Sequence, residues 1–410
     1  MNSKLDIIYF TLFPWDHPYS SVSLSLAKEF AKNNRVFYIN HPFTIKDFFA
    51  RYKEDAVQKR KQALWRGKMQ YDATPHLPEN IICAHPPNTI PINFLPEGNW
   101  YKRLYRYNNR LILDTIQTVI DDHQIKDFIY LNCFNPFYAR VLPKSMGAKL
   151  SIYQCIDDML EEEYTAKHGN RLEEEAMKEA DIATVTSTNL YALKAHLNPN
   201  THILHNAADI HIFKRTVEEQ FERPEEIRRI EGKIIGFMGN MNEYRVDYAL
   251  LRKIALVHTD KTLLLVGPLN SNDYKEHGLD QLSNVVFTGG KDINELPQYL
   301  KFMDCALIPF RVNKQTKSVY PLKINEYLAA GKSVISSSFS DDIRSFGDSI
   351  LLAKDHDEFI QLIDQAIASN SKAAITKRMA AAESNTWKAR VEQFWNIVMP
   401  KLEASVPVSK

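Results

Sequence analysis

Short apolar runs alternate with amphipathic stretches along almost the whole chain, and the alternation starts afresh half-way. The first half carries DIIYFTL, RVFYIN, NIICAHP, FIYLNC, LSIYQCI and IATVTS; the second carries KIIGFMG, TLLLVGP, NVVFTGG, CALIPF, SVISSS and SILLA. Apolar runs of strand length separated by helical patterns are the signature of βα units, so the chain is expected to be α/β, with parallel sheets covered by helices. A pattern that restarts predicts two such domains. With 410 residues, 44% of them apolar, the chain is long enough for two cores of ordinary size.

The break falls at KRTVEEQFERPEEIRRIEGK, Lys214 to Lys233, which has almost no apolar face and reads as linker, part of it able to form a solvated helix. The expected boundaries are 1–206 for an N-terminal domain, 207–232 for the linker region, 233–384 for a C-terminal domain and 385–410 for a terminal helix and tail. In that last segment Trp387, Val391, Phe394, Trp395, Val398 and Leu402 form one helical stripe. The stripe needs a surface, and periodicity leaves open whether it packs on its own domain or back on the N-terminal one.

Charge and cysteine usage exclude several classes. Lys plus Arg (51) nearly balances Asp plus Glu (50), so no global field points to nucleic acid. Cys83, Cys133, Cys155 and Cys305 are scattered with no CxxC pair, which indicates neither a zinc site nor a disulfide framework and fits a reducing cytoplasm. The N-terminal apolar run is too short for a signal peptide and no segment has the ~18 uninterrupted apolar residues of a membrane span. A cytoplasmic protein, soluble or peripheral at the membrane, is expected.

One segment places charge among otherwise buried residues: SVYPLKINEYLAAGKSVISS, Ser318 to Ser337. Pro321 suits a helix start and Gly331 the position just past a helix end, so a helix over Pro321–Ala330 is expected. Ile324, Tyr327 and Leu328 make its core face, while Lys323 and Glu326 share another line at i, i+3 spacing. A helix N-terminus with a lysine in its first turn is an anion site suited to a diphosphate. Glu326, ~4.5 Å further along the axis, could accept both hydroxyls of a ribose diol. The competing reading is an ordinary exposed Lys–Glu pair, and spacing alone favours it.

PLKINEYLAAGKSVISS resembles the PLKxxEYLAAGKPVV signature of group 1 glycosyltransferases. The resemblance extends over WDHPYSSVSLSLAKEFAKNNRVFYIN, ADIATVTSTNLYALKAHLNPNTHILHNAAD, KIIGFMGNMNEYRVDYALL, TLLLVGP and NVVFTGGKDINELPQYLKFMDCALIPF, nearly the whole chain. It implies the GT-B fold: two Rossmann-like parallel-sheet domains facing across a cleft. It further implies sugar transfer from a nucleotide diphosphate donor, with Glu326 on the donor ribose and Gly239, Arg245 and Lys323 as candidates for its diphosphate. Retaining members often carry a second Glu eight positions earlier, where this chain has Ser318, which weakens a retaining mechanism built there. Asn313 and Thr316 upstream of Pro321 resemble the teichuronic-acid and exopolysaccharide branch, some of whose relatives invert.

On residue chemistry alone, Gly239 is a turn glycine and Arg245 fits a solvated helix face as well as a phosphate contact. Asp157 and Asp158 end the run SIYQCI, where a carboxylate could be a general base or a helix cap. His17, in a strand-to-helix loop, is an alternative base or acceptor contact. The DxD of Asp355 and Asp357 precedes an amphipathic helix and reads as a cap, so no metal or other cofactor is expected.

Lys46 to Lys68 and Trp100 to Arg110 mix basic and aromatic residues as a contact with the inner leaflet would. The sequence thus points to a glycosyltransferase, inverting and metal-independent, with a nucleotide-sugar donor (UDP by family frequency) and a saccharide or lipid-linked acceptor. A nucleotide-sugar epimerase on the same fold and a non-catalytic sugar-nucleotide-binding subunit are the alternatives.

Overall fold

Every one of the apolar runs becomes a strand. The structure, a computed structural model, describes residues 5–16, 21–159, 163–269 and 271–405. It divides into two compact units: Met1–Thr186 with Leu190–Leu204 and Val391–Lys410, and Ser187–Asn189 with His205–Arg390.

The first unit is built on β1 (Asp6–Thr11), β2 (Val36–Ile39), β3 (Gln70–Tyr71), β4 (Ile81–His85), β5 (Phe128–Cys133), β6 (Ser151–Cys155), β7 (Ile182–Val185) and β8 (Thr201–Ile203). Among the described residues they form one sheet in the order β3-β4-β2-β1-β5-β6-β7-β8, parallel except where β3 runs against β4. β1 is the switch point: Ile7 pairs with Val36 of β2 on one side and Ile129 of β5 on the other. The two strands that the apolar pattern did not flag, β3 and β8, are two and three residues long.

The second unit is built on β9 (Lys233–Met238), β10 (Lys261–Val266), β11 (Val285–Gly289), β12 (Cys305–Ile308), β13 (Val334–Ser337) and β14 (Leu351–Ala353), ordered β11-β10-β9-β12-β13-β14. All its pairings are parallel. From β9 the chain winds outward through β10 and β11, then returns to the other side for β12 to β14. In such sheets ligands collect at the carboxyl ends of the strands beside the switch, here β9 and β12.

One boundary expectation changes, and one that periodicity left open is resolved. The supposed linker 207–232 holds a helix, Ile210–Glu218, and a turn of 3-10 helix, Glu225–Ile227, whose Ile210, Phe213 and Ile227 are buried in the second unit's core. Its charged flanks hide a short apolar stripe. The terminal helix, Trp387–Ser405, groups with the first unit from Val391 onward. There Phe394 lies edge-on to Phe30 with ring centroids 4.9 Å apart, and Gln393 donates to the Ile203 carbonyl at 3.1 Å.

Candidate functional site

In the second unit, β9 and β10 are each followed directly by a glycine, Gly239 and Gly267. The backbones of these two loops come so close that a Cβ on Gly267 would lie 1.8 Å from the Gly239 carbonyl oxygen. Gly239 has φ +144, a conformation L side chains rarely adopt, and a Cβ there would lie 2.1 Å from Lys323 Cε and 2.7 Å from its Nζ. The glycine is therefore favoured by its backbone conformation, and the lysine end occupies the space a Cβ would take. The Gly239 signal was in the sequence; the matching role of Gly267 in TLLLVGP was missed, although a glycine directly after a strand could have flagged it.

Lys323 is carried on the helix Leu322–Ala329, with Pro321 as its N-cap residue. Ile324, Tyr327 and Leu328 are buried, as their spacing predicts. Tyr327 locks the helix onto the strand end: its hydroxyl accepts from the Met238 N–H at 2.8 Å and donates to the Met238 carbonyl at 3.3 Å. That contact places the free face of the helix beside the Gly239 turn. Lys323 Nζ sits 5.9 Å from the Phe237 ring centroid. The sequence placed Tyr327 on the core face but not at the strand end, and Phe237 was not singled out, since an aromatic on a core face has no signal beyond packing.

Lys323 and Glu326 are partly exposed but recessed, and they do not form the surface ion pair that their spacing allowed. Among the described residues the Glu326 carboxylate has no hydrogen bond or salt bridge, and Lys323 acts on it only through space. Burial raises the Glu326 carboxyl above its ordinary value, opposed by the nearby Lys323 charge. Burial lowers the Lys323 ammonium; Glu326 opposes that and the Arg245 guanidinium adds to it. Arg245 thus stands within electrostatic reach. It lies in a turn and not on a helix face, its N–H donating to the Asn242 carbonyl at 3.1 Å and its carbonyl accepting from the Arg311 N–H at 2.8 Å. Two cations and one carboxylate, gathered at the strand ends by a switch point, can receive a diphosphate and a neighbouring diol.

The other sequence candidates lie elsewhere. Ser318 is fully buried and its hydroxyl accepts from Asn189 Nδ2 at 2.9 Å. Asn313 and Thr316 form a capping box on the short helix Lys314–Lys317. Asp355 caps the helix His356–Ala368, accepting the Glu358 N–H at 2.9 Å, and Asp357 is exposed in its first turn. Among the described residues no group of three or more His, Cys, Asp or Glu is arranged to hold a metal ion.

In the first unit Asp157 and Asp158 follow the end of β6 and are partly exposed, the Asp157 carboxylate accepting the Asp158 N–H at 3.0 Å. His17 lies outside the described residues. Of the stretch Lys46 to Lys68, expected to contact the inner leaflet, Phe48 and Arg60 are buried in the unit. Trp100 to Arg110 opens the helix Asn99–Asp122, with Trp100, Lys102, Arg103, Arg106, Tyr107 and Arg110 exposed. Among the described residues no helix is long and apolar enough to cross a membrane.

Residues 232–369, which include Gly239, Arg245, Lys323 and Glu326, match the family described as Glycosyl transferases group 1. That stretch is similar to a group 1 glycosyltransferase domain. Over 109 residues the chain is 36% identical to TuaH of Bacillus subtilis (strain 168), a protein assigned as a teichuronic acid biosynthesis glycosyltransferase. That match covers 26% of this chain and 27% of TuaH, so it spans about a quarter of the relative. In fold, the chain resembles the α,α-trehalose 6-phosphate synthase of Burkholderia multivorans, with TM-score 0.68 at 10% identity over 98% of this chain and 100% of that one. It also resembles Anabaena HepE in complex with UDP, with TM-score 0.64 at 13% identity over 97% and 100%. The two Rossmann-like parallel-sheet units are the domains of the GT-B fold.

Proposed function

We propose that the chain is a glycosyltransferase that moves a sugar from a nucleotide diphosphate-sugar to a hydroxyl of a glycan or lipid-linked saccharide in cell-surface polysaccharide assembly. The observation that carries this reading is the pair Lys323 and Glu326, recessed, facing the Gly239 turn and not neutralising each other by contact. The diphosphate would lie at the N-terminus of the helix Leu322–Ala329 against Lys323 and Arg245, and the ribose diol would lie on Glu326. HepE, of the same fold, binds UDP, which supports a UDP-sugar as donor; TuaH supports the cell-surface pathway.

In the reaction the acceptor oxygen bonds to the anomeric carbon as that carbon's bond to the β-phosphate oxygen breaks. Lys323, Arg245 and the helix N-terminus stabilise the charge on the departing nucleoside diphosphate, the role a metal performs in other sites. Asp157 or Asp158, in the first unit that binds the acceptor, takes the hydroxyl proton, and in-line displacement inverts the anomeric centre. The protein works at the inner face of the cytoplasmic membrane, touching it through the exposed basic and aromatic start of the helix Asn99–Asp122, where each Lys or Arg near an anionic surface contributes about 1 kcal/mol.

The test is to incubate the pure protein with a panel of nucleotide-sugars, alone and with saccharide acceptors. Transfer or slow donor hydrolysis supports the proposal. Sugar isomerisation alone, or binding with no turnover of any donor, overturns it.

A further inference from the structure

The first unit contains a cavity of about 730 Å³ at the carboxyl ends of β1, β2 and β4, within the ~300–1,000 Å³ usual for small-molecule sites. Its walls are aromatic: Phe43, Tyr101, Tyr105, Phe137 and Tyr138 all line it. Two histidines line it as well. His85, the last residue of β4, is 1% exposed, and among the described residues neither ring nitrogen has a hydrogen-bond partner. Buried polar groups in folded proteins are nearly always paired, so an imidazole open at both nitrogens in a cavity wall points to a ligand. His41, just past β2, has its Nδ1 3.0 Å from Asn135 Nδ2. An amide NH₂ only donates, so Nδ1 accepts and the ring proton sits on Nε2. Burial lowers both histidines, His41 to about 4, so each is neutral near pH 7 and offers hydrogen bonds without charge.

The charged residues in the wall are already matched. Arg60 holds Asp16 through two bonds of 2.9 and 2.6 Å, lies 3.4 Å from Asp72 and donates to the Ala56 carbonyl. Arg51 holds Glu54 at 2.6 Å. The Asp47 carboxylate takes the Thr44 N–H and hydroxyl in a capping box. Among the described residues, three carboxylates against two occupied guanidiniums leave no open cation for an anion. Open cations lie instead beyond the shared wall of Tyr101 and Tyr105, in a second cavity of about 670 Å³ lined by Lys102, Arg103 and Arg106, which have no ion-pair partner among the described residues.

We infer that the aromatic cavity takes an uncharged sugar ring of the acceptor, its hydroxyls read by His41 and His85, and that sugars bearing a phosphate or carboxylate at that ring are refused. The ring's apolar faces lie on the aromatic walls, and any anionic part of the acceptor stays outside, towards Lys102, Arg103 and Arg106. This inference rests on the reading of the first unit as the acceptor-binding half of a transferase.

The experiment is saturation-transfer NMR on the intact chain with no nucleotide-sugar present, using matched probes: glucose and glucose 6-phosphate, N-acetylglucosamine and its 6-phosphate, galactose and galacturonate. The uncharged member of at least one pair should bind roughly tenfold or more tightly than its charged partner, the scale on which a site of fixed polar groups discriminates. His85→Phe replaces an unpartnered polar ring with an apolar one of similar shape, so the fold should persist while sugar binding drops by a similar factor. Preference for charged members, no uncharged sugar bound at millimolar concentration, or unchanged binding by a folded His85→Phe protein would each overturn the inference. Failure of the transferase reading is separate: sugar would still bind here while no nucleotide-sugar is turned over. Conversely, transfer to phosphorylated rings would keep the transferase and remove the inference.

Discussion

Gly239→Ala offers a test of the donor site that does not touch either charged residue. The added Cβ would sit 2.1 Å from Lys323 Cε, against ~3.5–4.0 Å for an ordinary carbon contact. The lysine end must therefore retreat by more than an ångström, which a flexible side chain can do at small cost. The backbone cannot escape as easily: alanine held at φ +144 should cost about 1–3 kcal/mol of stability, measurable in urea. The retreat takes the ammonium away from the Gly239 turn. If it contacts the diphosphate, UDP affinity should fall by about 1.5–3 kcal/mol, the range for a hydrogen bond to a charged group, or roughly 10- to 150-fold.

The control is Lys323→Met, alone and combined with Gly239→Ala, each titrated with UDP by calorimetry. If alanine acts by displacing the lysine, the double variant should bind no worse than Lys323→Met, because the second change has nothing left to remove. Additive losses would refute the reasoning, since Gly239 would then serve UDP by a route independent of Lys323. Full affinity in Lys323→Met would remove the ammonium from the site altogether.

Glu326→Ala should weaken nucleotide binding by roughly 1.5–3 kcal/mol; unchanged calorimetric affinity of the folded variant would take Glu326 out of the site. Binding of a UDP-sugar should be bell-shaped in pH. It should fall in acid as Glu326 takes up a proton at a pKa above the ordinary 4.5, and fall in alkali as Lys323 loses one at a pKa below the ordinary 10.5. Glu326→Gln should abolish only the acid limb. Activity should persist in EDTA, because charge on the leaving group is met by Lys323, Arg245 and the helix N-terminus; loss in chelator restored by magnesium or manganese would overturn that. One of Asp157→Asn and Asp158→Asn should lower kcat by about 100-fold or more with donor affinity nearly intact, and normal turnover in both would place the base elsewhere.

What was legible in the sequence is what is local. The strand runs could be read because parallel strands buried on both faces are apolar without interruption, and the helix after Pro321 because its start, core face and stop all lie within eleven residues. Lys323 and Glu326 were visible as a spacing, but whether they neutralise each other depends on what surrounds them, and i, i+3 spacing is silent on that. The helix Ile210–Glu218 was hidden because its core contacts, Ile210 and Phe213, are outnumbered by charges. The aromatic cavity was not legible at all. Its wall gathers residues from Leu12 to Leu172, and no sequence window contains both His41 and His85 with the ion pairs that occupy the wall's guanidiniums. Arg60 shows the same limit from the other side: it lies in the stretch read as a contact with the inner leaflet, yet Asp16 and Asp72, distant in sequence, draw it into the interior.

Ser318 connects these observations to mechanism. In the resembling family this position often holds a carboxylate, and its loss could be taken as the mark of a protein that has stopped catalysing. The surroundings argue otherwise. Ser318 is fully buried and makes a neutral hydrogen bond with Asn189, so the position has been repacked around a small hydroxyl. A carboxylate there would be desolvated with one amide to meet it, and burying a charge without matched partners is costly. A hydroxyl so held is too weak a base to take a proton near neutral pH. Yet Lys323 and Glu326 make no ion pair with each other, and a recessed carboxylate and ammonium held apart are a stability cost that packing alone does not explain. On the proposed reading, with Ser318 too weak a base, the strand-end aspartates of the first unit are the residues to mutate in search of the proton acceptor.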